Sequence, residues 1–241
     1  MPEPSFRIGT AGWSIPASAT DHFPSEGSSL ERYSGRLHCA EINSSFHRSH
    51  RLDTWRRWAS SVPEGFRFSA KLSKEITHKR KLTDFEEPLA AALAEMEGLG
   101  DRLEILLVQL PPSLAFDPAV AEGFFAALRA RWDRQIVCEP RHASWFEPDA
   151  DSLLEDRRIA RVAADPAKVP AAAEPGGWSG LAYYRLHGSP VMYRSSYDDG
   201  RLEAYAARMA AAAVPTWCIF DNTASSLATG DALKLQRLLA D

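Results

Sequence analysis

The sequence predicts an α/β fold of the TIM-barrel type, a (β/α)8 barrel in which an irregular segment replaces the helix after strand six. Short apolar runs alternate with amphipathic segments along the chain. Eight such runs recur at roughly 30 residues per unit, the size of a TIM-barrel repeat. A doubly wound open sheet is disfavoured because no glycine-rich phosphate-binding fingerprint follows the first run. No stretch reads as an interdomain linker, so we expect residues 1–241 to form a single domain.

The first half of the chain predicts four strands, each followed by a helix. The strands are expected at residues 6–10, 38–42, 66–72 and 103–110. Ser28 and Glu31 have the spacing of a capping box, which predicts a first helix running to about Gly35. The second helix is predicted by the helical spacing of Leu52, Trp55 and Ala59. The third is predicted by a second capping box, Thr83 with Glu86, and the fourth by the N-cap Asp117 followed by Pro118.

The second half predicts four more strands and three helices. The strands are expected at residues 136–138, 159–164, 181–187 and 216–221. The helices are expected around Leu153 and Leu154, from Leu202 to Ala213, and over residues 233–239. Residues 165–180 contain three prolines and two adjacent glycines, so no regular helix is expected there.

Composition and charge exclude several classes of protein. With 241 residues, 45% hydrophobic and 25% charged, the chain has the composition of a globular protein with one large core. A net charge of -4 gives no overall attraction to nucleic acid or to an anionic membrane. No apolar run approaches the roughly 18 residues of a membrane span, and Met1 to Ser5 lack the features of a signal peptide, so we expect a cytoplasmic protein. The cysteines form no CxxC pair, which signals neither a zinc site nor a disulfide framework.

Polar residues collect where the predicted strands end, the place where TIM barrels carry their sites. Residues two apart on a strand share a face, and four such pairs are found: Glu41 with Asn43, Ser69 with Lys71, Glu139 with Arg141, and Arg185 with His187. Single positions add to them: Gln109, Asp165 and the dipeptide Asp221-Asn222. Burying so many ionisable groups costs several kcal/mol per ion unless they are paired. The pattern therefore predicts a ligand-binding site, with a purely structural ion network as the alternative.

Several motifs resemble those of the YecE-like family, a domain of unknown function numbered 72. They are EINSSF, ITHKRKL, LLVQLPP, EPRHASWF, YYRLHG with a following Tyr193, and IFDNTASSLATGDA. The resemblance spans nearly the whole chain and implies a TIM-barrel-like fold with the motif residues around one pocket, but no established activity. The chain departs from the family pattern at three positions: His47 stands in place of a tyrosine, Pro140 in place of an aromatic residue, and Asp221 in place of an asparagine.

The favoured function is an enzyme of the hydrolase, lyase or isomerase type that acts on a small anionic metabolite. Glu139, Glu41 and His187 are the candidate acids and bases. Arginine and lysine suit carboxylate or phosphate groups, so Lys71, Arg141 and Arg185 are predicted to bind the substrate. The other predicted substrate-binding residues have polar or aromatic side chains: Asn43, Gln109, Trp13, His142, Tyr193 and Asn222. No cofactor is predicted, and the sequence leaves the oligomeric state open.

Two alternative functions remain open, and two further ones are disfavoured. A divalent metal could bind the oxygen and nitrogen ligands of Glu41, Glu139, Asp165, His187 and Asp221, although no HxH or HExxH motif occurs and three nearby cations oppose it. The basic loops after strands two and three, with Arg48, Arg51 and residues 78–81, could bind nucleic acid, which the acidic chain disfavours. A glycosidase is disfavoured because strands four and seven carry Gln109 and His187 instead of two carboxylates, and no G-x-S-x-G motif supports a serine hydrolase.

Overall fold

The computed structural model of the protein describes residues 6–240, so the expectation for Met1 to Ser5 lies outside the described residues. Ten strands form one sheet in the order β7-β9-β10-β1-β2-β3-β4-β5-β6-β8. The strand bounds are β1 Phe6–Ala11, β2 Cys39–Ile42, β3 Arg67–Lys71, β4 Leu103–Gln109, β5 Gln135–Glu139, β6 Ile159–Arg161, β7 Ala163–Asp165, β8 Gly176–Gly177, β9 Ala182–Leu186 and β10 Thr216–Phe220. All neighbouring strands are parallel except β6 and β8.

The sheet curves into a nearly closed barrel through the predicted sixth strand, which divides at Val162. Its first half, β6, pairs with β5, and its second half, β7, pairs with β9 on the other side. The Val162 amide donates to the Cys138 carbonyl at 2.8 Å and so continues the ladder through the division. The predicted TIM-barrel fold class is thus confirmed, and its sixth strand is the position at which the ring closes.

Helices follow most strands and cover the outside of the barrel. They are α1 Ser29–Ser34, α2 Ser44–His47, α3 Leu52–Ser60, α4 Glu86–Met96, α5 Pro118–Arg131, α6 Pro148–Asp156, α7 Asp199–Ala210 and α8 Ala228–Leu238. Shorter 3-10 turns occupy residues 17–22, 97–102, 143–146 and 170–173, and a π-helical turn occupies residues 75–79. Within residues 6–240, no helix has the length and apolar character needed to cross a membrane.

The helix-start signals are correct at two positions and wrong at a third. Ser28 and Glu31 form the reciprocal capping box of α1, and the Asp117 carboxylate accepts from the Ala119 and Val120 amides at the start of α5. The box predicted at Thr83 is absent, because the Thr83 hydroxyl donates to the Arg80 carbonyl and α4 begins only at Glu86. The backbone around Thr83 has positive φ at Lys81, Leu82 and Asp84, so this segment is a turn and not the start of a helix.

The segment after strand six is irregular, as its composition predicts. It forms the 3-10 turn Pro170–Ala173 and the short strand β8, which pairs antiparallel with β6. The last helix, α8, starts at Ala228, five positions before the predicted residue 233.

The core has two layers, one inside the barrel and one between the barrel and its helices. The inner layer includes Cys39, Ile105, Leu107, Tyr183 and Trp217. Side chains of opposite parity on the same strands pack outward against the helices. The inner layer is apolar in its middle and becomes polar towards the carboxyl ends of the strands, where Glu41, Glu139 and Arg185 are buried.

Candidate functional site

A cluster of ionised side chains fills the barrel at the carboxyl ends of its strands, and Arg185 stands at its centre. Arg185 is fully buried. Its Nε and Nη2 donate to the two carboxylate oxygens of Glu41 at 3.0 and 2.6 Å, and Nη1 donates to Glu139 Oε2. Nη2 also donates to Asp221 Oδ2 at 3.0 Å. One guanidinium therefore joins carboxylates from β2, β5 and the end of β10; these four residues are called the ion cluster below.

Side chains along each strand point alternately into and out of the barrel, and this alternation produces the arrangement. On β10 the residues Trp217, Ile219 and Asp221 share the inner face, and on β9 Tyr183, Arg185 and His187 do the same. The polar side chains thus continue apolar columns of the barrel interior. The Asp221 departure from the family pattern supplies the third carboxylate of the ion cluster.

Glu139 links the ion cluster to the outermost cation of the mouth. Its Oε1 accepts from Arg141 Nε at 3.1 Å and from Arg141 Nη2 at 3.0 Å. Burial would raise the pKa of Glu139, but Arg185 and Arg141 outweigh it and hold that pKa well below its usual range. Burial would lower the pKa of Arg141, and Glu139 and the neighbouring Tyr193 raise it. Both groups are therefore ionised at neutral pH.

His187 and Asp221 form a hydrogen-bonded pair beside the ion cluster. His187 Nδ1 lies 3.0 Å from Asp221 Oδ2. Burial alone would raise the pKa of Asp221, yet Arg185 and His187 lower it, so the carboxylate only accepts and Nδ1 carries the proton. Burial would lower the pKa of His187, but Asp221 and Glu139 raise it overall. The other nitrogen, Nε2, makes no hydrogen bond within residues 6–240, and it lies 3.3 Å from Glu139 Oε1, close enough for an ion pair when His187 is protonated.

Lys71 is a buried cation whose ammonium has no carboxylate partner. It ends β3 and is 8% exposed. Among residues 6–240, its Nζ makes no ion pair and no hydrogen bond, and it lies 4.1 Å from the centroid of the Phe46 ring. Burial, and next the charge of Arg185, lower the pKa of Lys71 from 10.5 to about 8 despite Glu139 and Glu41. The His78 ring packs edge-on against Phe46 at 4.9 Å between centroids, and burial together with Lys71 and Arg141 lowers the pKa of His78.

Tyr183 belongs to the site but was not predicted from the sequence. Its hydroxyl donates to Glu41 Oε2 at 3.1 Å and lies 2.8 Å from the Ser69 hydroxyl. The signal was present, because Tyr183 is two residues before Arg185 on the same strand and therefore shares its inner face.

The remaining predicted residues divide into those at the mouth and those outside it. Asn43 donates to Asp221 at 3.4 Å and has an unpartnered buried Oδ1, Gln109 is buried beside Glu139 in the β4–β5 register, and the Tyr193 ring meets the His187 ring edge-on at 5.6 Å. His142 instead caps the 3-10 turn 143–146 through Nδ1. Trp13 packs edge-on against Trp58 and Phe68 in the outer layer.

Two polar residues predicted at the mouth point outward. Asn222 donates to the Ser195 carbonyl and to Asp231, because it follows the inward Asp221 and so has the opposite parity. Asp165 pairs with Arg201 of α7 at 2.9 Å and accepts from the Tyr197 hydroxyl at 2.7 Å. The inner positions of β6 and β7 are Ala160, Val162 and Ala164, so strand six contributes no charge to the mouth.

The two alternative sites find little support in the geometry. Within residues 6–240, no group of three or more His, Cys, Asp or Glu side chains is arranged to hold a metal ion. In the basic loop after β3, Lys79 and Arg80 both pair with Glu75, at 2.8 and 3.3 Å. That loop therefore presents less free positive charge than its sequence indicates.

A narrow cleft opens beside the ion cluster. It is lined by the polar side chains Glu139, Arg141 and His187, and by neighbouring residues of β7 and of the segments around the mouth: Pro140, Ala164, Pro166, Lys168, Ala172 and Met192. Its space accommodates about one water molecule. The Pro140 departure from the family pattern thus lies in the cleft wall, whereas His47 is exposed and packs edge-on against Phe46.

These features define a TIM-barrel-like protein whose strand ends enclose a charged mouth. The chain belongs to the DUF72 family: the family model described as "Protein of unknown function DUF72" matches residues 7–241. UPF0759 protein YecE of Escherichia coli (strain K12) is 26% identical to the chain over 152 residues, which are 60% of this chain and 54% of YecE. The match therefore spans about half the length of that relative.

Solved structures of DUF72 family proteins share the fold. One from Enterococcus faecalis V583 has a TM-score of 0.79 at 20% sequence identity, covering 98% of this chain and 96% of its own. One from Thermotoga maritima MSB8 has a TM-score of 0.78 at 21% identity, covering 98% and 99%. At these identities the likeness establishes the barrel fold alone.

Proposed function

We propose that the mouth of the barrel is the active site of an enzyme that binds a small anionic metabolite and moves a proton on it. The observation that carries the proposal is Lys71, a buried ammonium with no counter-ion among the described residues. A buried charge without a partner destabilises the folded chain. A bound anion would neutralise it.

Exposure separates the cations that a ligand can reach from those that it cannot. The side chain of Arg141 is 20% exposed, whereas that of Arg185 is fully buried. Arg185 already donates to three carboxylates, so its predicted role in binding substrate is reassigned to holding the ion cluster together. Arg141 and Lys71 are then the residues that bind the anion.

Proton transfer is assigned to His187 in preference to Glu139 and Glu41. Arg185 and Arg141 hold Glu139 ionised, and Glu41 accepts hydrogen bonds from Tyr183 and Arg185 on its two oxygens. Both oxygens of each carboxylate already accept from these donors, which compete with a proton from substrate. When His187 is neutral, Asp221 holds its proton on Nδ1, so the lone pair of Nε2 can accept a proton, the arrangement found in Asp-His pairs of hydrolytic enzymes.

The class of reaction follows from this set of groups. One general acid or base, one buried lysine and an anion-binding arginine suit elimination, isomerisation or hydrolysis of a carboxylated or phosphorylated compound. The narrow cleft requires its surrounding loops to move when a metabolite enters.

Thermal unfolding in the presence of candidate ligands tests the proposal. The panel contains small carboxylates, sugar phosphates, nucleotides, short oligonucleotides and divalent metals. A ligand at 100 times its Kd adds about 2.7 kcal/mol, which raises the midpoint of a chain this size by roughly 5 to 10 °C. We expect a small anion to give this shift, Arg141→Ala to lose it, and Arg157→Ala, at the opposite end of the barrel, to keep it. A shift from oligonucleotides alone that fades with salt would overturn the proposal.

A further inference from the structure

We infer that Lys71 is a nucleophile that forms an imine with the carbonyl carbon of an anionic aldehyde or ketone. The inference rests on the proposed function, whose substrate class it specifies. It starts from the position of Lys71 at the end of β3, inside the barrel mouth, with Nζ against the Phe46 ring and no hydrogen bond or ion pair among residues 6–240. An amine held this way has its nitrogen free of a carboxylate that would keep it protonated.

The surroundings of Lys71 favour the neutral amine. The charge of Arg185 lowers the pKa of Lys71, and the anions that raise it are Glu139, Glu41 and Asp221. Each of these three carboxylates already accepts from Arg185. Lowering the pKa from 10.5 to about 8 raises the neutral fraction of the amine at pH 7 by roughly 300-fold. Enzymes activate lysine for imine formation by burial and by a neighbouring cation in this way.

The chemistry balances without an oxidant or a reductant. The Nζ lone pair attacks the carbonyl carbon, a C–N bond forms, the carbonyl oxygen takes up a proton and the nitrogen releases one, which gives a neutral carbinolamine. The hydroxyl then takes up a second proton, the C–O bond breaks and water leaves, and the nitrogen lone pair forms the C=N bond of the iminium, so that one proton is taken up from solvent overall. Arg141 binds the anionic group of the substrate, and His187 Nε2 can remove a proton from the carbon next to the iminium.

Reductive trapping tests the inference. Glyoxylate, the smallest anionic aldehyde, is incubated with the full chain and borohydride, and the modified residue is found by peptide mass mapping. Lys71 should gain the mass of glyoxylate less one oxygen atom, about 10-fold or more faster than the exposed Lys81, which has no such surroundings. Glycolaldehyde, which lacks the carboxylate, should label Lys71 more slowly, and Arg141→Ala should remove that difference.

A charge-conserving variant distinguishes the failure of this inference from that of the proposed function. Lys71→Arg keeps the cation and cannot form an imine. We expect it to lose the label while glycolate still raises its midpoint of unfolding. Labelling that is absent in the wild type, or spread equally over exposed lysines, would overturn the imine and leave the anion site in place. The absence of a shift with glycolate in the wild type would overturn the anion site for carboxylates and the inference with it.

Discussion

The pair formed by His187 and Asp221 makes a prediction about pH at the scale of a single residue. The folded pKa of His187 is raised above its ordinary value of 6.5, so the protonated form stabilises the fold. This contribution is complete below pH 6.5 and is lost as the pH rises through the folded pKa. We expect His187→Gln to reduce the free energy of unfolding more at about pH 6 than at about pH 9, measured by urea unfolding. Asp221→Asn should weaken this pH dependence, and equal losses at both pH values would contradict it.

Lys71 makes the opposite prediction. Its folded pKa of about 8 is below its ordinary 10.5, so the native state binds fewer protons than the unfolded chain between those values. Stability from this residue therefore rises with pH across that window, by up to about 3 kcal/mol. We expect the stability of Lys71→Met relative to the wild type to fall by about this amount between pH 7 and pH 10.5. A constant difference would show that the ammonium has a partner in solution.

At the scale of the element, helix capping offers a matched pair of variants. The Asp117 carboxylate accepts two backbone amides at the start of α5, whereas Thr83 caps no helix. Asp117→Ala should therefore cost about 1 kcal/mol in urea unfolding, and Thr83→Ala should cost less than about 0.5 kcal/mol. Both side chains are exposed, so lost packing does not confuse the comparison. Similar losses for the two variants would mean that Thr83 stabilises α4 after all.

Element periodicity explains how far the sequence predicted the fold and the mouth. Period-two alternation gave the inward set Glu41, Lys71, Glu139 and Arg185, because these strands are regular up to their ends. The same alternation failed at Asp165, at the end of the divided strand six. The inward-facing position there is Ala164, so the Asp165 side chain faces outward and pairs with Arg201 of α7.

Other features depended on tertiary pairing that spacing cannot reveal. The sharing of Arg185 among three carboxylates requires the register of β2, β9 and β10, which are far apart in sequence. The outward side chain of Asn222 could have been predicted from its position next to Asp221, but the partner Asp231 lies on α8. Lys81, Leu82 and Asp84 adopt positive φ, which the sequence does not indicate there because none of them is a glycine.

At the scale of the whole molecule, Arg185 ties strands from opposite parts of the barrel. It lies on β9 and binds carboxylates of β2, β5 and the end of β10. Such a buried network is costly to assemble, and apolar or neutral replacements of buried ion pairs are often no less stable. The ion cluster therefore needs a reason other than stability, which the proposed active site supplies.

Replacing the ion cluster as a whole separates stability from function. Arg185→Met alone removes the shared cation from three buried carboxylates, of which Glu139 keeps Arg141 and Asp221 keeps His187, and should cost about 3 to 5 kcal/mol. Adding Glu41→Gln, Glu139→Gln and Asp221→Asn removes those charges, so the quadruple variant should regain most of the loss, measured by urea unfolding. The same variant should no longer be stabilised by the small anion that stabilises the wild type, because Arg141 has lost the carboxylate that orients it. A quadruple variant that binds the anion as before would make the ion cluster a purely structural network.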